Sequence, residues 1–404
     1  MKILIVSDTY LPYINGGSYF ILHLAHGLRD RGHQVNIMTI SEHFSNTVRE
    51  VDGIMEYRIW SIPLPTYNRF RFSPRPLVQG LVRRIIKGMD PDIIHLQQHF
   101  MLGRAAYLAS KKYNIPTIGT NHSLPDNVTF YLHLPHKLEE LLNEYFWWQL
   151  RHTYDHLDVL TTPTKTAADI AQQHLTKELI PVSNGIDLNR YHLNIDADLL
   201  RKRYQLPNES IILYTGRLDK EKHLWVLIRA LKKLRTRFKA HLVITGIGGE
   251  QKHLKQLTKN LGLAEHITFT GFVSDEDFPA VYSLGDVFAI SSPAELQSLV
   301  TMEALASGLP VVAVNAKALP ELCHDGENGF LFNEDDVSGC ETGLYKILSD
   351  EVLRKRMSEK SLEIISHHSL NNTITRYEEL YEKAVAIHEQ ARVKGAVSSV
   401  EPKE

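Results

Sequence analysis

The stretch SSPAELQSLVTMEALASGLPVVAV, Ser291 to Val314, decides the fold. It follows an apolar run, Val287 to Ile290, that reads as a buried strand, and it ends in another, Val311 to Val314. Gly308-Leu309-Pro310 is a helix stop. The pattern predicts a short helix between two parallel strands, with Glu295 just before the helix and Glu303 inside it. The helix start, near Gln297-Ser298-Leu299-Val300, offers unpaired backbone N–H groups and a partial positive charge. Such an end accepts phosphate. From Ser298 to Glu303 the rise is about 7 Å, at ~1.5 Å per residue, roughly the span from a diphosphate to a ribose. A ligand with a diphosphate at its centre fits between the two carboxylates, and a nucleotide-sugar has that shape. A solvated acidic pair beside a core helix satisfies the same residues.

Glu295, seven residues, then Glu303, followed by Ala304 to Val312, resembles the E-x7-E signature of retaining glycosyltransferases of the GT-B fold, in the large family 4, or group 1. The resemblance extends over nearly the whole chain and is specific to the family rather than to the acceptor. It implies an α/β GT-B architecture: two Rossmann-like domains facing a central cleft, with a C-terminal helix crossing back to the N-domain. It implies that Glu295 binds the sugar hydroxyls and supports positive charge at the anomeric carbon. Glu303 then takes the ribose hydroxyls, and Ser298, Leu299 and Val300 face the diphosphate. One departure matters. Many members carry E-G-F-G here, whereas this chain has Glu295-Leu296-Gln297-Ser298. That run resembles the E-x-Q-G variant of several bacterial lipid glucosyltransferases, with Ser298 for the glycine. Serine keeps its N–H and can begin a helix, but it narrows the space beside the sugar.

The chain's 404 residues suit two domains of ordinary size, and an apolar content of 43% supports two cores. A net charge of −2 argues against a general nucleic-acid binder. Two cysteines, Cys323 and Cys340, make no disulfide framework, so a reduced cytoplasmic setting is expected. Met1 to Val6 is too short for a signal-peptide core, and no apolar run approaches the ~20 residues that span a bilayer. Membrane contact is therefore expected to be peripheral, on the inner face.

Read from the start, Lys2 to Val6 is a strand, Asp8 to Gly17 a loop, Ser18 to Asp30 a helix and Gln34 to Ile40 a strand. This order is a Rossmann-like opening. Gly16 and Gly17 let backbone approach an anion, and the family carries a glycine pair here facing the donor diphosphate. From Tyr57 to Met89 there is no acidic residue, and seven basic ones occur: Arg58, Arg69, Arg71, Arg75, Arg83, Arg84 and Lys87. Trp60, Tyr67, Phe70 and Phe72 interleave with them. Leu77 to Lys87 reads as an amphipathic basic helix suited to an anionic membrane surface. A packed Rossmann helix with basic caps accounts for Leu77 to Ile86 as well, but not for Arg69-Phe70-Arg71-Phe72.

Asp92 to Leu96 and Ile115 to Thr120 are strands. His95 and His99 are spaced H-x3-H, but at a strand end with no third ligand, so a structural or substrate-facing role is expected. Asn121-His122 lies where ligands meet open α/β sheets. The family's histidine at this place contacts the donor sugar, and the resemblance assigns that role to His122. Glu139 to Leu150 is an aromatic-rich helix, read as core packing or as a wall for a lipid acceptor.

The second domain opens with Ile211 to Thr215 and Gly216-Arg217-Leu218-Asp219-Lys220-Glu221-Lys222. In the family the arginine and the second lysine of this motif hold the donor diphosphate, here Arg217 and Lys222. An arginine fork and a lysine point charge neutralise a departing nucleoside diphosphate without metal. Gly246-Ile247-Gly248-Gly249 fails as a dinucleotide fingerprint, because Gln251 replaces the third glycine. Phe272 and Val273 lie in a turn that in the family presents backbone to the base. The expected domains are 1–185, 186–370, a returning helix at 371–390 and a disordered tail at 391–404. The expected activity is retaining transfer of a hexose, first of all glucose from UDP-glucose, to a lipid hydroxyl such as diacylglycerol, with no cofactor and no metal. A polar sugar acceptor is the alternative, and a nucleotide-sugar 2-epimerase the alternative from another class.

Overall fold

The computed structural model describes residues 1–13, 15–64, 67–123 and 136–398, and the side chains of these except 64–70 and 394–398. The chain forms two compact units, one from Met1–Ser183 plus the segment that begins at Asn371, the other from Asn184–Leu370. The change of unit falls two residues before the expected boundary at 185.

The first unit holds β1 (Lys2–Ser7), β2 (Gln34–Ile40), β3 (Thr47–Val51), β4 (Ile54–Ile59), β5 (Ile62–Leu64), β6 (Tyr67–Phe72), β7 (Ile93–Leu96), β8 (Thr117–Thr120), β9 (Val159–Thr162) and β10 (Leu179–Pro181). Eight of them form a sheet in the order β10-β9-β8-β7-β1-β2-β4-β3, parallel except for β3 against β4. β5 and β6 form a separate antiparallel pair. The chain leaves β1 toward β2 on one side and reaches β7 on the other, so the strand order reverses between β1 and β7. Ligands bind beyond the carboxyl ends of strands at such a point. The loop with Gly16 and Gly17 follows β1, Gln97 follows β7, and His122 follows β8.

The last helix, Leu370–Ser398, runs well past Gln390, so Ala391 to Ser398 is helical rather than a disordered tail. Its segment from Asn371 belongs to the first unit. Tyr377 and Tyr381 are fully buried there. Glu378 pairs with Arg31 and with His33 at 2.9 Å. A Cβ on Gly27, in the first helix, Gly16–Asp30, would lie 2.0 Å from Ile374 Cδ1, so a larger residue there would displace that isoleucine side chain.

The second unit holds β11 (Ser210–Thr215), β12 (Ala240–Thr245), β13 (Ile267–Gly271), β14 (Val287–Ile290), β15 (Val311–Val314) and β16 (Gly329–Phe332). Their order is β13-β12-β11-β14-β15-β16, every pairing parallel. Numbered within the unit this is 3-2-1-4-5-6, the doubly wound dinucleotide-fold order. β11, β12, β14 and β15 are almost wholly buried, as continuous apolar runs in a parallel sheet must be. The switch point lies between β11 and β14.

Candidate functional site

The switch point brings together the two loops that the sequence singled out. The loop after β11 carries Arg217 and Lys222, and the loop after β14 carries Glu295. Gly246, after β12, supports this packing: a Cβ there would lie 2.0 Å from the Gly216 carbonyl oxygen. A Cβ on Gly248 would lie 2.3 Å from the Leu218 carbonyl oxygen, so close packing against the loop after β11, rather than dinucleotide binding, accounts for Gly246 and Gly248.

Lys222 Nζ donates to Glu295 Oε1 at 2.7 Å and reaches Ser292 Oγ at 3.5 Å. Glu221 lies 3.4 Å away. Both partners are largely buried. Burial alone would lower the Lys222 pKa, but the carboxylates of Glu295 and Glu221 outweigh it and hold the group above its usual value. Burial likewise opposes ionisation of Glu295, and Lys222 overcomes it, leaving the carboxyl below its usual range. The pair is thus ionised. Arg217 donates to Asp219 and, at 2.8 Å, to Glu221, with its side chain still 42% exposed. The two cations expected to face a diphosphate therefore rest against three carboxylates. Lys220 is exposed.

The helix after Glu295 runs Leu299–Ala306, separated from the end of β14 at Ile290 by Ser291 to Ser298. Ser298 is its N-cap and accepts from the Thr301 N–H at 3.3 Å, while Thr301 Oγ1 donates back to Ser298 Oγ at 2.8 Å. The serine that replaces the family's glycine thus caps the helix. Leu299 and Val300, half-buried, occupy the first turn, where backbone N–H groups have no partner within the helix. Gln297 Oε1 accepts from the Asn184 N–H at 2.7 Å, tying this loop to the chain entering the unit.

Glu303 sits on this helix and is held by two tyrosines. Tyr282 donates to Glu303 Oε2, and Thr215 Oγ1 lies 2.8 Å from the Tyr282 hydroxyl. Tyr191 also bonds Glu303. Burial raises the Glu303 carboxyl to about 7, against the lowering effect of the tyrosine hydroxyls and Arg190. Sequence reasoning missed Tyr191 and Tyr282, which no local pattern links to Glu303. Phe272 projects into solvent, 62% exposed, whereas Val273 is buried in the core. Only the backbone of Val273 is left to meet a ligand.

In the first unit, Gly16 opens the first helix rather than ending the loop before it. Asn15 is the N-cap, accepting from the Ser18 N–H at 2.9 Å, and Gly17 lies in the same first turn. His122 is half-buried against Phe20, ring centroids 4.9 Å apart, and Nε2 lies 2.7 Å from Gln97 Oε1. Burial lowers its pKa to about 4, so it is neutral near pH 7. His95 is fully buried between Tyr381 and Thr120, and its role is structural.

The acid-free segment is less free than its composition suggests. Arg58 is buried and bonds Glu56, just outside the segment, at 2.9 Å. Arg71 donates to Ser61 Oγ at 2.7 Å and Ser61 O at 2.6 Å, and lies over Phe44. These two charges are spent inside the fold and correct the expectation of a seven-charge surface. The side chains of Arg69 and Phe70 lie outside the described ones, and Phe72 is half-buried. The following helix, Arg75–Met89, buries Val78, Val82 and Ile86 and exposes Leu77, Arg84 and Lys87, with Arg75 and Arg83 half-buried. Among the described residues no helix is long and apolar enough to cross a membrane.

Residues 14–190 match the Glycosyltransferase Family 4 domain, and residues 196–363 match Glycosyl transferases group 1. The chain is 28% identical to the alpha-monoglucosyldiacylglycerol synthase of Streptococcus pneumoniae, over 95% of this chain and 86% of the relative. It is 26% identical to the sulfoquinovosyl transferase SQD2 of Arabidopsis thaliana, over 89% of this chain and 69% of the relative. Its fold matches sucrose-phosphate synthase from Thermosynechococcus elongatus with a TM-score of 0.79 at 20% identity, covering 95% and 99% of the two chains. With both domains matched and a doubly wound sheet in each unit, the chain belongs to the group 1, family 4 glycosyltransferases of the GT-B fold.

Proposed function

We propose that this glycosyltransferase is retaining and moves a hexose, first of all glucose from UDP-glucose, to a hydroxyl of a membrane lipid such as diacylglycerol. The observation that carries the donor half is the ionised Lys222–Glu295 pair at the β11/β14 switch point, beside Arg217 and the start of the Leu299–Ala306 helix. A diphosphate entering there exchanges carboxylates for phosphate oxygens on Arg217 and Lys222, which frees Glu295 for the sugar. Glu303 takes the ribose. The acceptor oxygen then bonds to the anomeric carbon on the face that the diphosphate leaves. The acceptor proton passes to the departing phosphate oxygen, so no separate base is needed, and no metal or cofactor is assigned a step. The preorganised cations stabilise the developing charge.

The acceptor half rests on the likeness to the Streptococcus synthase and on surface chemistry. Arg84, two turns from the exposed Leu77 on the same face, and Lys87 are exposed on one helix, with Arg75 half-buried in its first turn, and Leu138, Leu141, Tyr145 and Trp148 are exposed along another, His136–Tyr154. Both surfaces suit peripheral contact with the inner face of a membrane. A polar sugar acceptor is the second reading, favoured by the internal engagement of Arg58 and Arg71.

A donor-by-acceptor screen with the purified chain, with and without anionic liposomes, tests the proposal. Lipid-independent transfer to a soluble sugar would overturn the lipid reading. UDP release with no acceptor consumed would overturn transfer itself in favour of an epimerase or a hydrolase. A charge-reversal variant narrows the question further. Arg75→Glu, Arg84→Glu and Lys87→Glu together should abolish co-sedimentation with anionic vesicles, because each cation contributes ~1 kcal/mol at such a surface. Affinity for UDP should be unchanged. Parent-like sedimentation of the triple variant would remove this helix from the membrane surface.

A further inference from the structure

We propose that Gln97 is a positioning residue that fixes the proton of His122 on Nε2 and leaves Nδ1 as a hydrogen-bond acceptor for a ligand hydroxyl. The inference rests on the reading of His122 as a sugar contact. Gln97 is almost fully buried, immediately after β7, and its Oε1 lies 2.7 Å from His122 Nε2. A carbonyl oxygen can only accept, so the hydrogen is on the imidazole nitrogen. The other end of the amide, Nε2, lies 3.1 Å from His95 Nε2. It can only donate, so His95 Nε2 carries a lone pair there and its hydrogen is on Nδ1, 2.9 Å from the Tyr381 hydroxyl. Thr120 Oγ1, at 2.7 Å, shares that single lone pair with Gln97.

The chain therefore has one direction: His122 donates to Gln97, Gln97 to His95, and His95 to Tyr381 on the last helix. Burial supports it by keeping both imidazoles neutral, with His95 lowered to about 3. A neutral imidazole has one donor and one acceptor nitrogen, and the bond made by one decides the role of the other. His122 then accepts from a hydroxyl and does not donate to one. That is a constraint on the ligand which the position of His122 alone does not impose.

The test is long-range nitrogen–hydrogen correlation spectroscopy on the full chain with labelled histidine, with the His122 signals assigned by their loss in His122→Ala. The parent should show hydrogen on Nε2 only. Gln97→Leu should convert His122 to a mixture of tautomers and lower kcat/KM about tenfold, the scale of one neutral hydrogen bond. Its affinity for UDP should stay at the parent value. If Gln97→Leu fails to fold, Gln97→Glu is the second variant. It keeps the acceptor for His122 but adds a charge, so it should raise the His122 pKa, read from the pH dependence of its ring-nitrogen shifts. Hydrogen on Nδ1 in the parent overturns the proposal, as does a Gln97→Leu protein with a single tautomer and parent kcat/KM, or a His122 pKa in Gln97→Glu equal to the parent's. Full activity of His122→Ala instead overturns the sugar-contact role of His122, and the tautomer result stands apart from it.

Discussion

Lys222→Ala is expected to lower kcat by about 10²–10³, the usual effect of removing one preorganised charge-stabilising group, and also to destabilise the fold. The second effect comes from Glu295. Its carboxylate is largely buried, with Lys222 Nζ at 2.7 Å as its closest cation. Removing that cation leaves a buried charge unpaired, at a cost of roughly 3 kcal/mol. Arg217→Ala should behave differently. Its ion pairs with Asp219 and Glu221 are part-exposed, and such pairs contribute about 1 kcal/mol or less. The Arg217 variant should therefore melt near the parent while losing turnover on the same scale as the Lys222 variant. The double variant Lys222→Met with Glu295→Gln should recover most of the lost melting temperature, since both charges are gone, yet remain inactive. Thermal melts beside transfer assays read all four proteins. Near-parent turnover in Lys222→Ala would remove the cation from the mechanism. Recovery of activity with stability in the double variant would mean that the pair is scaffolding only.

The contrast between these two cations shows what a linear sequence carries and what it does not. Strands β14 and β15, the helix between them and the place of both glutamates were legible from two apolar runs, a Gly-Leu-Pro stop and a fixed spacing. Local chemistry decides those features. The strand order that makes β11 and β14 neighbours is implied once the alternation of strands and helices is read as doubly wound. The pairing of Lys222 with Glu295, 73 residues away, is not. Nor is the clasp of Glu303 by Tyr282 and Tyr191, because Tyr282, on the apolar helix Phe278–Tyr282, reads as core from its neighbours, and Tyr191 lies in a loop with no periodic pattern.

The acid-free segment misled for the same reason. Glu56 stands one residue outside it and pairs across two residues with Arg58, while Arg71 turns back onto Ser61 in a two-stranded sheet. β3 was missed because Thr47–Val51 is exposed along its whole length and lacks the alternation that marks a half-buried strand, and β4 because Glu56 and Arg58 take its alternate buried positions and hide the apolar pattern. The last helix exceeded its expected length because its polar end continues a helix already begun, where extension needs no new nucleus.

Glu303→Gln is expected to weaken the binding of UDP-glucose by an order of magnitude or more above pH 7 and to remove its pH dependence. Ribose hydroxyls donate to a carboxylate, and hydrogen bonds to a charged group are roughly twice as strong as neutral ones. The anionic form of Glu303 is therefore the binding form. Burial, opposed by Tyr282, Tyr191 and Arg190 and reinforced by Asp275, puts its carboxyl at about 7. As pH falls below that value the unliganded site protonates, and each unit should weaken binding about tenfold until the bound carboxyl also protonates. UDP-glucose is the suitable probe, because its diphosphate is esterified at both ends and stays fully ionised across this range. Binding near pH 6 should release close to one proton in the parent and none in Glu303→Gln, which calorimetry in buffers of different ionisation enthalpy measures. The effect on stability has the opposite sign. The folded carboxyl binds its proton more tightly than the unfolded one, so folding is penalised as pH rises through the window between them, and the penalty is complete above about 7. Unliganded Glu303→Gln should accordingly melt above the parent at pH 8, with the gap closing toward pH 5. A parent whose affinity for UDP-glucose is flat from pH 6 to 8, with no proton released, would take Glu303 out of the ribose site.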